Sequence, residues 1–112
     1  MPYNEVLAKR LRAKLKQHPG LVEKKLFGGI GFLVRGNMAC GVHQDDLILR
    51  LGNHDFGEAL KKPAARIFDL YGRTMEGWVL ISAAGYNSDA QLEGWIKKSL
   101  ALVESLPPKR VL

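Results

Sequence analysis

The sequence predicts an α+β fold, a two-layer antiparallel sheet with helices on one face, in the order helix, three strands, helix, two strands, helix. Three observations carry that expectation. Leu7, Leu11 and Leu15 recur every fourth residue near the N-terminus, the spacing that stacks side chains on one helix face. A central stretch of short apolar runs is broken at Gly36-Asn37 and at Gln44-Asp45-Asp46, the punctuation of a β-meander. Near the C-terminus, Ser88 and Gln91 form a capping box ahead of a periodic apolar segment, which marks a helix start.

Residues 3–17 read as the first helix, with Asn4 as N-cap and His18-Pro19-Gly20 as the stop. Lys9, Arg12 and Lys16 fall opposite the leucines. Residues 23–27 read as extended chain before a break at Gly28-Gly29, and strands follow at about 30–35, 38–43 and 47–51. Gly36-Asn37 suits a two-residue turn because both residues tolerate positive φ. That loop sets Arg35 opposite Met38, Leu33 opposite Cys40 and Phe32 opposite Gly41.

One sheet face then carries Leu33, Met38, Cys40, Val42, Leu47, Leu49 and Leu51. The other carries Ile30, Phe32, Val34, Ala39, Gly41, His43, Ile48 and Arg50. The first is the expected core face. Residues 54–61 read as a short helix, capped by Asn53 and stopped by Pro63; residues 65–69 and 77–82 read as two strands around Gly72-Arg73. The last helix covers 88–105, with Leu92, Trp95, Ile96, Ser99, Leu100 and Val103 in helical register, and ends at Pro107-Pro108 before a tail with Lys109 and Arg110.

A chain of 112 residues with 46% apolar and 25% charged residues fits one globular domain over residues 1–112. The single cysteine, Cys40, rules out an internal disulfide, and the N-terminus lacks the apolar stretch of a signal peptide. A cytoplasmic protein without membrane contact is expected. The net charge of +6 is unevenly placed. Residues 1–25 hold Lys9, Arg10, Arg12, Lys14, Lys16, Lys24 and Lys25 against Glu5 and Glu23, so nearly all the excess sits there. Such a segment is either a solvated helix face or an attractor of phosphate backbones.

The residue types that could carry chemistry fail on geometry. Gly28-Gly29-Ile30-Gly31 lacks the third glycine of a dinucleotide fingerprint, because position 34 is Val34. No Gly-Lys-Ser or Gly-Lys-Thr follows, so these glycines are expected to allow a bulge or tight bend. Cys40, His43 and His54, with Asp45, Asp46 or Asp55, do not form a metal set: an offset of three on a strand sends Cys40 and His43 to opposite faces. Cys40 is expected to be an inert core filler. Trp78 and Trp95 are expected to pack between the last helix and the sheet rather than to stack on bases. Phe32 is expected to cover Gly41 across the hairpin. Arg50 interrupts an otherwise apolar face, which is then either an ordinary exposed face or a contact surface.

The run Phe27-Gly28-Gly29, Phe32, Gly36-Asn37-Met38, Cys40-Gly41-Val42 and Leu49-Arg50-Leu51-Gly52 resembles the N-terminal domain of the TfoX/Sxy family of bacterial proteins. Met75-Glu76-Gly77-Trp78, Trp95 and Leu106-Pro107-Pro108 extend the resemblance over residues 3–108. It implies a two-layer fold of the order given above, a regulatory role and no catalytic residues. Full-length family members that regulate natural competence carry a second, C-terminal helical domain, and residue 112 is reached without one.

The expected function is therefore a non-enzymatic regulatory or protein-interaction module, without cofactor or metal, acting as a homodimer. Helices on one face leave the other open, and the expected interface is Ile30, Phe32, Val34, Ile48 and Arg50, because a large apolar patch is seldom left in water. The alternative is a nucleic-acid-binding domain that uses Lys9, Arg12 and Lys16 of the first helix.

Overall fold

A computed structural model describes residues 3–26, 28–70 and 72–107, with the backbone alone at Leu70. The expectations for Phe27, and for the tail with Pro108, Lys109 and Arg110, fall outside the described residues. The elements are α1 (Glu5–Leu15), β1 (Leu21–Leu26), β2 (Gly29–Val34), β3 (Asn37–His43), β4 (Asp46–Arg50), α2 (Asn53–Leu60), β5 (Ala65–Leu70), β6 (Arg73–Ile81), α3 (Ala83–Tyr86) and α4 (Asp89–Glu104). All strand pairings are antiparallel, in one sheet of order β1-β2-β3-β4-β6-β5. The helix–strands–helix–strands–helix order holds. Residues 21–26 add an edge strand where extended chain was expected, and residues 83–86 add a one-turn helix.

Local signals fix the long helices. The Leu7 N–H donates to Asn4 Oδ1 at 3.0 Å, and α4 opens with the full capping box of Ser88 and Gln91. Leu7, Leu11 and Leu15 are at most 1% exposed, so each stabilises the fold by roughly 2 kcal/mol through burial alone. They join Cys40, Val42, Leu47, Leu49, Val79, Ile81, Leu92, Trp95 and Ile96 in the main core between the sheet and the helices. A second cluster lies on the opposite sheet face, with Leu33, Met38, Ile48, Phe68 and Leu80 at its centre and no helical residue among its members.

The β2–β3 register differs from the expectation. Val34 pairs with Asn37, so the turn is Arg35-Gly36, with both residues at positive φ (51° and 85°). The pairing then runs Leu33 to Met38 and, across a bulge at Ala39, Phe32 to Cys40. Moving the loop by one residue shifts the pairing by two and leaves Leu33 and Met38 on a common face, whereas the bulge turns over the β3 side chains beyond it relative to β2. Ile30 and Phe32 therefore lie in the helix-covered core, and Val34 and Ala39 pack against Val103 of α4. Leu33 and Met38 move to the other face. Cys40, Val42, Leu47, Leu49 and Leu51 sit on the expected side.

Glycines let the strands approach. A Cβ on Gly29 would fall on the Val42 carbonyl oxygen, and one on Gly41 would strike the Ile30 carbonyl oxygen and, at 2.9 Å, Met38 Cε. It is Met38, rather than Phe32, that lies across Gly41 and its partner Gly31. At the other end of the sheet, the β5–β6 pairing jumps from Ile67–Val79 to Phe68–Met75. The hairpin tip thereby brings Phe68 and Met75 onto the second cluster.

Candidate functional site

The expected interface residues do not share a surface. Ile30, Phe32 and Val34 are 6%, 0% and 0% exposed beneath the helices, and Ile48 is 1% exposed on the far face. Of the five, Arg50 alone is half-exposed. Its guanidinium lies 5.5 Å from the centre of the Trp78 ring, a cation–π arrangement that meets its need for a partner. Trp78 belongs with this second face and not with α4; its expected place under the last helix is corrected. The physical reason is the Ala39 bulge for Ile30, Phe32 and Val34, and the fixed alternation along β6 for Trp78.

Lys9 and Arg12 are exposed on α1, and Lys16 is exposed as its C-cap. Arg12 is bidentate on Glu23 of β1, with both N···O distances 2.8 Å. That pairing holds the Glu23 carboxyl below its ordinary pKa and raises that of Arg12. Arg10 donates to the carbonyls of Asn87 and Ser88, and Lys14 contacts Asp89 at 2.7 Å. Much of the basic segment thus docks α1 to its neighbours.

Cys40 is buried between Phe32 and Leu49, and burial pushes its thiol up to about 12. His43 lies on the opposite face, with its ring 6.2 Å from that of Phe68. His54 is exposed on α2. The structure does not bring these three together.

The structure does build a groove from residues far apart in sequence. Gly85 lets α3 sit against β6 and the 62–65 segment: a Cβ there would meet Ile81 Cγ2 at 2.5 Å and Ala64 Cβ at 2.9 Å. α4 then clamps α3 from outside. Trp95 Nε1 donates to the Gly85 carbonyl at 2.9 Å, and Gln91 Nε2 to the Ala84 carbonyl at 3.1 Å. Between these elements lies an open groove of ≈ 620 Å³, within the range of small-ligand and side-chain pockets.

The groove floor is Ala64, Ile81, Ala84, Ala90, Gly94 and Trp95, and its rim carries Lys62 and Lys98. Lys98 Nζ stands 5.3 Å from the Trp95 ring centre. The remaining polar side chains are engaged within the chain: Ser82 Oγ donates to the Ala64 carbonyl, and Gln91 Oε1 accepts from the Ser88 N–H while its Nε2 is on Ala84. Among the described residues, no carboxylate, imidazole or thiol lines the groove. What it offers is an apolar floor and two ammonium groups, the chemistry of binding rather than of proton transfer.

Of the groove residues, Trp95, Gln91 and Pro63 stand out in the sequence, and each of them for a structural reason rather than as part of a site. The one available signal was Gly94, a glycine inside a well-capped helix, which costs about 1 kcal/mol relative to alanine. A Cβ there would meet nothing within 4 Å, so no packing in the chain requires it.

A family model described as TfoX N-terminal domain matches residues 13–102 of the chain. No curated protein and no solved structure matches it.

Proposed function

We propose that this chain, which belongs to the family described as TfoX N-terminal domain, is a non-enzymatic regulatory module that works by holding a segment of another protein in the groove between the 62–65 segment, α3 and α4. The observation that carries this reading is the groove itself. It has an apolar floor that the fold leaves open, held in shape by the Trp95–Gly85 and Gln91–Ala84 hydrogen bonds, and uncovered apolar concavities are where partners dock. The family resemblance supports the regulatory part. A homodimer through Ile30, Phe32, Val34, Ile48 and Arg50 forms no part of the reading, because those residues are divided between two faces.

The test compares retention of identified proteins from nuclease-treated cell extract on the native chain and on Gly94→Leu. The leucine side chain settles on the apolar floor, and the position tolerates a Cβ. The reading expects a partner held by the native chain and lost from the variant. Identical retention by both would refute the groove as the contact surface.

A further inference from the structure

We infer that the occupant of this groove is an acidic protein segment carrying one large apolar anchor residue, recognised by Lys62 and Lys98. This inference rests on the proposed function and adds to it the chemistry of the partner.

The floor sets the anchor. Ala64, Ala84, Ala90 and Gly94 are small, and Ile81 and Trp95 are large and mostly buried, so the wall is smooth and apolar. A volume of ≈ 620 Å³ open to solvent accommodates a leucine, phenylalanine or tryptophan side chain together with its backbone. Gly94 lets that backbone come close to α4, since no atom of the chain occupies the space a Cβ would take.

The rim sets the charge. Lys62 projects from the segment before β5 and Lys98 from the third turn of α4, so the two ammonium groups belong to opposite walls. Among the described residues, no acidic side chain lines the groove to neutralise them. Nearby carboxylates are committed elsewhere: Asp89 and Glu93 turn toward Lys14, and Glu58 pairs with Lys61 at 2.9 Å. The other polar groups of the lining hold the groove together and are not free to bind. A partner that brings carboxylates to the rim satisfies both lysines; a basic partner places like charges together, which costs affinity. The chain's net charge of +6 acts in the same direction at long range.

The test is selection from a displayed library of random 12-residue peptides on the immobilised chain at low salt. Enriched peptides should contain a large apolar residue flanked by Asp or Glu. The best of them should lose at least tenfold in affinity toward Lys62→Glu/Lys98→Glu and toward Gly94→Leu, and should weaken as salt rises. A single-stranded 20-nucleotide DNA should not displace them. Circular dichroism confirms that both variants stay folded. Neutral or basic enriched peptides that Gly94→Leu still excludes would overturn the charge assignment and leave the groove reading intact. Peptides indifferent to Gly94→Leu, displacement by the DNA, or no enrichment would overturn the inference.

Discussion

The Cys40 thiol tests the main core between the sheet and the helices. Its side chain lies beneath α1 and α4, in a core where Phe32 and Leu49 are its strand partners, and the residue is 1% exposed. Burial raises its pKa from 9.0 to about 12. A raised folded pKa means that the neutral thiol is favoured by folding, so this contribution is fully present below pH 9 and is lost as pH rises toward 12. The chain should lose on the order of 1 kcal/mol between pH 8 and 10, and on the order of 3 kcal/mol by pH 11. Urea unfolding of the native chain and of Cys40→Ala across this range isolates the thiol. Tyr86, whose hydroxyl is also held neutral by burial and by Asp45, is common to both proteins and cancels in the difference. The variant's stability should fall less steeply with pH. Iodoacetamide at pH 8 gives a second reading: labelling needs the thiolate and an opened core, so the folded chain should react at least about 1000-fold more slowly than the urea-unfolded one. Parallel stability profiles, together with labelling rates within tenfold, would refute the placement of Cys40.

Ser99→Ala should raise stability by up to about 1 kcal/mol, read as a higher Tm, because the buried Ser99 hydroxyl finds no hydrogen-bond partner among the described residues. Gly41→Ala should lower stability by several kcal/mol in urea unfolding, since its Cβ would strike the Ile30 carbonyl oxygen and Met38, and overpacking of this kind typically costs about 1–3 kcal/mol or more. Arg12→Ala should cost about 0.5 kcal/mol at neutral pH, the worth of a surface pair with good geometry. Glu23's lowered pKa places that contribution above pH 4.5, so the gap between native and variant should close as pH falls below it.

Locally encoded parts of the fold were legible in the sequence. The Ser88–Gln91 capping box and the Asn4 cap each act within four residues, and α4 and α1 begin where those signals place them. The β2–β3 turn was misplaced by one residue because Asn37 accepts positive φ more readily than arginine does. Tertiary contacts decide the matter. The Arg35 N–H donates to the Gly20 carbonyl and its guanidinium to that of Glu104, while Asn37 is drawn into the strand by a 2.9 Å hydrogen bond to the Pro107 carbonyl. The Ala39 bulge left no mark in the alternation of a strand whose residues are apolar on both sides. Cys40 and Leu49 were placed correctly because the Gln44-Asp45 turn fell where the polar residues put it. The groove was out of reach: Lys62 and Ala84 meet through the whole β5–β6 hairpin, and α3 is a single turn, too short for periodicity to announce it.

Contact between a protein partner and the groove can be read in cells. Site-specific photocrosslinking in cells tests it most directly, with p-benzoylphenylalanine in place of Lys62 or Lys98 on the rim, and in place of Lys9 on α1 or Val22 on the β1 edge as comparisons. All four positions lie at the surface, and Val22 is 57% exposed. One and the same crosslinked protein is expected from positions 62 and 98, and no such product from positions 9 and 22. Crosslinks confined to positions 9 or 22, or none from the two rim positions, would contradict it.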